Sequence, residues 1–228
     1  MIDVAVIDYG MGNLRSVSKA LERVAPTQSV VVTSKPDEVR GARRVVFPGQ
    51  GAMPDCMSEL DVRGLRPAVL EAAREKPFLG ICIGLQMLFE VSEEGNVPGL
   101  GLLEGRVVRF PSEGMIATDG DKLKIPHMGW NEVQQTLEHP LWRGIAQGSR
   151  FYFVHSYYPV PRQRSVIAGY TLYRLPFTCA VARDNLFAVQ FHPEKSQEAG
   201  LRLLRNFVEW DGQSTSSARM LETPLVDE

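Results

Sequence analysis

The feature that most restricts this chain is an alternation of strand-like runs with stretches of helical periodicity through its first third. Val4–Ile7 is continuously apolar, as a strand buried on both faces must be. Asn13 is placed to cap a helix in which Leu14, Val17, Leu21 and Val24 recur at spacings of three, four and three. Val30–Thr33 and Arg44–Phe47 read as further strands. Pro67 suits the first turn of a helix through Val69, Leu70 and Ala73. Phe78–Ile81 is another strand, and a helix is expected from Ile83 to about Ser92. This order implies a parallel sheet with helices on its faces.

From about Leu102 the texture changes. Short strand-like runs follow one another at Gly105–Phe110, Trp130–Gln134, Phe151–Val154, Ser165–Thr171, Phe177–Ala182 and Leu186–Phe191, with turn residues between them. A helix then returns, carried by Leu201, Leu204, Phe207 and Val208 and ending near Trp210. The stretch Gly212–Glu228 is rich in Ser and Thr and poorly patterned, so it is expected to be a mobile tail. The 228 residues show no internal repeat and no low-complexity linker. One α/β domain is expected over residues 1–211, with a mixed, mostly parallel central sheet, flanking helices and a strand-rich second half.

Charge and cysteine usage narrow the functional classes. Lys and Arg number 25 against 27 Asp and Glu, a formal charge of 25 − 27 = −2. That argues against nucleic acid or a membrane surface as partner, since both normally select a basic excess. Cys56, Cys82 and Cys179 are odd in number and irregularly spaced, which suits free thiols in a reducing cytosol. The opening Met1-Ile2-Asp3-Val4 lacks the basic start and small-residue cleavage site of a signal peptide. No apolar run reaches the length of a membrane span. A soluble, cytoplasmic protein is expected.

The strongest local motif is Gly80-Ile81-Cys82-Ile83-Gly84-Leu85-Gln86, with an apolar strand before it and an apolar helix after it. It has the form of a nucleophile elbow with Cys in place of Ser. A nucleophile on so sharp a turn sits in strained backbone, and glycine at −2 and +2 removes crowding against neighbouring chain. The turn also sets sulfur at a helix start, where free N–H groups favour the thiolate that attacks carbonyls. Cys56 and Cys179 lack such a setting and read as small core residues. The elbow alone leaves Cys82 balanced between those two roles.

A nucleophilic cysteine needs a base. His139 precedes Pro140 in a polar turn and reads as solvated. His192 directly follows the run Leu186–Phe191 and so sits at a strand's carboxyl end, the edge where open α/β sheets bind ligands. Glu194 is two residues on, and in extended chain i and i+2 point the same way. Pro193 between them limits the backbone. A carboxylate there can orient the imidazole and stabilise its cation. The competing accounts are a surface turn before a helix and a metal pair. No other ligand cluster at metal spacing accompanies the pair, so no metal is expected. Together the elbow and Phe191-His192-Pro193-Glu194 point to a triad of Cys82, His192 and Glu194 far more specifically than either does alone. Gly10-Met11-Gly12 invites a dinucleotide reading, which fails at Arg15, where that fingerprint needs a small residue. No cofactor is expected.

These motifs resemble the signature of the class I (triad) glutamine amidotransferases. Within that class the resemblance narrows to the glutaminase subunits of imidazole glycerol phosphate synthase, which act in histidine biosynthesis. Four further segments carry it: Asp8-Tyr9-Gly10-Met11-Gly12-Asn13-Leu14, Phe47-Pro48-Gly49-Gln50-Gly51-Ala52, Pro126-His127-Met128-Gly129-Trp130-Asn131 and Phe191-His192-Pro193-Glu194-Lys195-Ser196. They come in the family's order and span nearly the whole chain up to Trp210. The segment from Pro126 is the most discriminating, because relatives serving other pathways keep the elbow but lack it.

The resemblance implies an activity and a set of roles. Glutamine's side-chain amide is attacked by the Cys82 thiolate, ammonia leaves, and a glutamyl thioester is hydrolysed by water. His192 protonates the leaving ammonia and then activates the water. The oxyanion donors are the N–H of Ile83 and a backbone N–H in the loop Gly49-Gln50-Gly51, with Gln50 and Gly51 the candidates and Gly49 beside the substrate. Read without the resemblance, that loop is an ordinary tight turn. Gln86, one turn past Cys82, is assigned to substrate, against a solvated helix residue as the alternative. Ser156 and Tyr157 are assigned to glutamine's amino and carboxylate ends, largely through backbone. For His155 a structural hydrogen-bonding role weighs at least as much as a catalytic one.

Ammonia in neutral water is mostly ammonium, which is no nucleophile, so a glutaminase serving a synthase is expected to dock to one. The resemblance supplies a (β/α)₈-barrel cyclase as partner in a heterodimer, with L-glutamine as substrate. Candidate interface residues are Asn13, Met128, Trp130, Tyr152 and Lys195, weighed against core packing for the aromatic pair. Other readings kept open are an amidotransferase of another pathway, such as anthranilate or pyridoxal phosphate synthesis, a catalytically silent binding protein on this fold, and a partner-free cysteine hydrolase or peptidase.

Overall fold

The structure, a computed structural model, describes residues 1–112 and 123–213. Its first part runs β1 (Val4–Ile7), α1 (Leu14–Val24), β2 (Val30–Thr33), α2 (Pro36–Gly41), β3 (Arg44–Gly49), α3 (Met53–Val62), α4 (Arg66–Glu75), β4 (Phe78–Cys82) and α5 (Ile83–Gln86). Val4 to Ile7 are fully buried, as their unbroken apolar run requires. In α1 the buried residues Val17, Ala20 and Leu21 lie on one face. The Asn13 side chain does not cap this helix; its backbone carbonyl instead accepts from the Ser16 and Val17 amides at 3.2 and 3.3 Å.

Two helices lie outside the sequence expectation. The six-residue α2 is too short for a periodic signal. In α3 the buried Met53, Cys56, Met57 and Leu60 do follow helical spacing, and Pro54 sits in its first turn. The helix expected from Ile83 to about Ser92 is corrected: α5 ends at Gln86, and β5 (Phe89–Ser92) begins soon after. The carbonyls of Met87 and Leu88 accept from the amides of Leu100, Leu102 and Leu103, so they are not free to continue a helix.

The second part follows with β6 (Val97–Pro98), β7 (Leu103–Arg109), β8 (His127–Glu132), β9 (Gln134–Gln135), β10 (Arg150–His155), β11 (Tyr157–Pro161), β12 (Ile167–Tyr173), β13 (Leu175–Arg183), β14 (Leu186–Val189) and α6 (Gln197–Glu209). The expected strand over Trp130–Gln134 is thus two strands, broken at Val133, whose buried side chain joins the core. Among the described residues the main sheet has eight strands in the order β2-β1-β3-β4-β14-β13-β12-β9. The pairs from β2 to β14 are parallel and those from β14 to β9 antiparallel. This is the mixed, mostly parallel central sheet anticipated, and the strand-rich second half adds a four-stranded sheet β11-β7-β5-β6 and the ribbon β8–β10 beside it.

The order matters for the site. Strands β3, β4 and β14 are neighbours and run parallel, so their carboxyl ends share one edge. Gly49 and Cys82 end two of these strands, and His192 follows the third after two more residues. The ribbon reaches the same place, because the His192 amide donates to the Tyr152 carbonyl at 2.9 Å. Among the described residues no helix is long and apolar enough to cross a membrane. Of the expected tail, Gly212 and Gln213 are described, with the Trp210 indole N–H donating to the Gln213 carbonyl at 2.8 Å; residues 214–228 lie outside the described set.

Candidate active site

The elbow has the strained geometry its glycines foretold. Cys82 has φ 56° and ψ −113°, a region that a non-glycine residue occupies only when its surroundings compel it. The compulsion is steric. A Cβ at Gly80 would stand 2.9 Å from the Ala188 Cβ on β14, and one at Gly84 would collide with the Phe47 carbonyl on β3. The Ala188 side chain on β14 and the Phe47 backbone on β3 thus press on the elbow from both neighbouring strands, and only glycine admits them. Ile83 opens α5, so its amide has no partner within the helix.

His192 meets Glu194 with Nδ1 2.9 Å from Oε1. The two are joined through a 3₁₀ turn over Pro193–Lys195 and not through extended chain, so the side chains converge across a tight turn. Two further bonds pin this turn: the Ser196 hydroxyl donates to the His192 carbonyl at 2.6 Å and accepts from the Tyr152 amide at 2.9 Å. His192 is buried, which by itself pushes an imidazole down. Negative charge on Cys82, its hydrogen bonding, and then the Glu194 carboxylate more than offset this and hold His192 up at about 10. The imidazole is therefore a cation at neutral pH, with Nδ1 committed to Glu194 and Nε2 left for chemistry.

These groups open on a cavity of about 250 Å³. Cys82, His192, Gln50, Gly51, Ile83 and Gln86 line it from the sheet edge, and Ser156, Tyr157 and Lys195 from the other side. Gly49 lies one step behind: a Cβ there would stand 2.6 Å from the Tyr9 hydroxyl and 2.8 Å from the Ile83 Cβ. The loop is held from its rear. The Tyr9 hydroxyl donates to the Pro48 carbonyl at 2.8 Å, and the Cys56 thiol donates to the Gln50 carbonyl at 3.7 Å. Burial, helped by the neighbouring Cys82 and Asp55, pushes the Cys56 thiol up to about 11, so it stays a donor.

The family model for glutamine amidotransferase class-I matches residues 5–210. The chain belongs to the class-I glutamine amidotransferases. Among its relatives, imidazole glycerol phosphate synthase subunit HisH of Aromatoleum aromaticum is 66% identical over 210 residues, covering 92% of this chain and 99% of the relative. The same subunit of Dechloromonas aromatica is 67% identical over 207 residues, covering 91% and 96%. Within the family the chain stands with these HisH subunits. A solved glutamine amidotransferase shares its fold with a TM-score of 0.65 at 21% identity, over 90% of this chain and 97% of the other.

In this amidotransferase Gln86 is buried, not solvated. Its Nε2 donates to the Tyr157 carbonyl and to Gln190 Oε1, both at 3.0 Å, and its Oε1 is buried without a protein partner. Gln190 and Glu94 are the residues that sequence reasoning missed. Gln190 is fully buried and turns its Nε2 toward the Cys82 sulfur at 3.8 Å. Its signal was present, two residues before His192 on the same strand run, where alternation gives both side chains one face. Glu94 lines the cavity and accepts from the Met53 amide at 2.8 Å; the expected helix through Ser92 hid its turn. His139 is also corrected. It packs on Phe187 and Trp210 at ring distances of 4.7 and 5.1 Å, and burial pushes it down to about 4.

The candidate interface residues divide. Met128 is 63% exposed and Trp130 39% exposed, both on β8. Tyr152 stands opposite Trp130 in the ribbon with an edge contact at 6.1 Å, and is half-buried. Lys195 holds its Nζ 5.8 Å from the Tyr152 ring centre while also lining the cavity. Asn13 is exposed near the same edge, where its neighbour Gly12 lies against Gly49 and Gln50.

Proposed function

We propose that this chain hydrolyses L-glutamine to glutamate and ammonia through a Cys82 thioester and delivers the ammonia to a (β/α)₈-barrel cyclase. The two form a cytoplasmic heterodimer that makes imidazole glycerol phosphate in histidine biosynthesis, and the catalytic unit is one domain through Asp211. The observation that carries the reading is the meeting of Cys82, at positive φ, with the 2.9 Å His192–Glu194 pair in a cavity sized for an amino acid.

The chemistry follows from these groups. The Cys82 sulfur attacks the amide carbon of glutamine's side chain, and the carbonyl oxygen becomes an oxyanion. The amides of Ile83 and of Gln50 or Gly51 donate to it, each worth about 10²–10³ in rate. His192 gives its Nε2 proton to the departing nitrogen, the C–N bond breaks, and ammonia leaves. Neutral His192 then takes a proton from water, whose oxygen attacks the thioester. Collapse of the second oxyanion breaks the C–S bond and restores the thiolate–imidazolium pair, with glutamate as product. Glu194 keeps Nδ1 protonated throughout and stabilises the cation.

Glutamine's charged ends find matching groups. Glu94 offers counter-charge to the ammonium, Gln86 offers a buried acceptor, and Ser156 and Tyr157 offer backbone. Met128 and Trp130, exposed on β8, and Lys195 with Tyr152 supply the docking face, with Asn13 at its rim.

The test measures glutamate release by the chain alone and with the barrel cyclase plus its nucleotide ligand, with Cys82→Ala as control. Partner-dependent release that vanishes in Cys82→Ala is expected. Strong release without a partner would point to a free-standing hydrolase. No release in either setting, with Cys82 unlabelled by a glutamine analogue, would sink the enzyme reading.

A further inference from the structure

Asn131, His127 and His155 form a line of hydrogen bonds whose proton positions follow from their partners. Asn131 Nδ2 donates to the Leu172 carbonyl at 3.0 Å, and its Oδ1 accepts from the Glu132 amide at 2.8 Å, so its amide can face only one way. The second Nδ2 hydrogen meets His127 Nε2 at 3.3 Å, which makes that nitrogen an acceptor. His127 then carries its proton on Nδ1 and donates to His155 Nε2 at 3.0 Å. His155 carries its own proton on Nδ1 and donates to the Tyr157 carbonyl at 2.8 Å. The same assignment results from the other end, since a carbonyl can only accept. Both imidazoles are neutral and both use every ring nitrogen.

The line continues into the cavity. The Tyr157 carbonyl also accepts from Gln86 Nε2, whose other hydrogen goes to Gln190 Oε1. Two acceptors thus demand that the Gln86 NH₂ face them, which leaves Oε1 as its buried, unpartnered end. The imidazoles cannot easily turn. The register of β8 and β10 sets His127 opposite His155, and His127 is stacked between Phe153 and Tyr173 at 4.9 and 4.0 Å.

We propose that His127 and His155, backed by Asn131, are positioning residues for glutamine, because their directed relay fixes the Tyr157 carbonyl and thereby turns the Gln86 acceptor toward a donor group of the substrate. The inference rests on the glutaminase reading and names a part of its binding site. Nothing in it requires the histidines to exchange protons with substrate. Their work is to keep a carbonyl and an amide in one orientation, which is where a substrate with fixed donors gains affinity.

The experiment compares His155→Phe, His155→Asn and Asn131→Ala in complex with the cyclase, with folding checked by thermal melting. Asn keeps a donor near the Nδ1 position, and Phe keeps only the ring. In His155→Phe the KM for glutamine rises about tenfold or more with kcat within about threefold, as expected when a buried donor is lost. His155→Asn recovers much of the loss, and Asn131→Ala, at the wet end, shows the smallest rise. A second readout is labelling of Cys82 by the diazoketone analogue of glutamine, which slows in His155→Phe while alkylation by iodoacetamide does not. Folded variants with parental KM and parental analogue labelling would overturn the proposal. If His155→Phe does not fold, parental KM in both His155→Asn and Asn131→Ala overturns it equally. Failure of the parent chain itself to release glutamate or to take the analogue would instead remove the glutaminase reading beneath it.

Discussion

His192 and His155 are 5% and 6% exposed, flank one cavity, and differ in charge. Burial pushes each imidazole down. At His192 the negative charge on Cys82 and the Glu194 carboxylate reverse this, to about 10. At His155 burial is reinforced by His127 and by the His192 cation, and only the Tyr157 carbonyl opposes it, which leaves His155 at about 3. His127 stands at about 4 through burial alone. Equal burial therefore yields a cation on the parallel-sheet side and neutral donors on the ribbon side. On the first side Nδ1 is held by Glu194 and Nε2 has no protein partner, whereas on the second every ring nitrogen of His127 and His155 is engaged.

The largest expected effect strikes the cation. Glu194→Gln removes the carboxylate that holds Nδ1 protonated, and kcat falls on the order of 10³–10⁴-fold. The pH profile should show His192 titrating lower; a kcat within tenfold of the parent would mean that Cys82 alone sustains the charge. Next comes the backbone that delivers the sulfur. Gly84→Ala drives a methyl into the Phe47 carbonyl, with a loss toward the upper end of about 1–3 kcal/mol in urea unfolding. Gly41→Ala, where a Cβ meets nothing within 4 Å, is the control and should be neutral.

The neutral side is probed by acid. Unfolded histidine binds a proton below pH 6.5, while folded His127, His139 and His155 resist until about 4, 4 and 3. The unfolded state then binds more protons, so stability falls with pH from 6.5 downward, by up to about 1.4 kcal/mol per pH unit for each histidine. His192 acts in the opposite window: its contribution is complete below pH 6.5 and is lost as pH rises through about 10. Urea midpoints from pH 4.5 to 9.5 read both limbs, and Cys82→Ala should flatten the alkaline one. A flat acid limb would show that the ribbon histidines are hydrated and not locked. The smallest effect is expected at Lys195→Ala. Its contact with Tyr152 contributes about 0.5–1 kcal/mol or less to the free chain. The informative readout is affinity for the cyclase and partner-stimulated glutaminase; no change in either would remove Lys195 from the docking face.

How far the sequence could be read follows from the range of each interaction. The strands β1, β3 and β4 matched because a buried strand must be apolar nearly residue by residue, and the edge strand β2, only partly buried, matched through its run of β-branched residues. The helix expected from Ile83 was cut short by Leu100, Leu102 and Leu103, which bond Met87 and Leu88 from beyond the next turn. Gln190 escaped although its spacing from His192 was visible, because a glutamine in an apolar run shows its partners only in space, and Glu94 escaped because the helix expected through Ser92 hid its turn. His139 looked solvated because its neighbours in sequence are polar, while its neighbours in space are Phe187 and Trp210.

Apart from the 3₁₀ turn that joins His192 to Glu194, the residues alone made legible the βα order of the first third, the elbow at Cys82 with its two glycines, and the closeness of His192 to Glu194. Each rests on residues adjacent in the chain, whose patterning and strain are local demands. Tertiary structure alone decided which histidine is charged and which is neutral, how Asn131 reaches Tyr157, and which end of Gln86 is free. Those outcomes depend on distances between strands far apart in sequence, where electrostatic interaction and hydrogen-bond direction are set by packing.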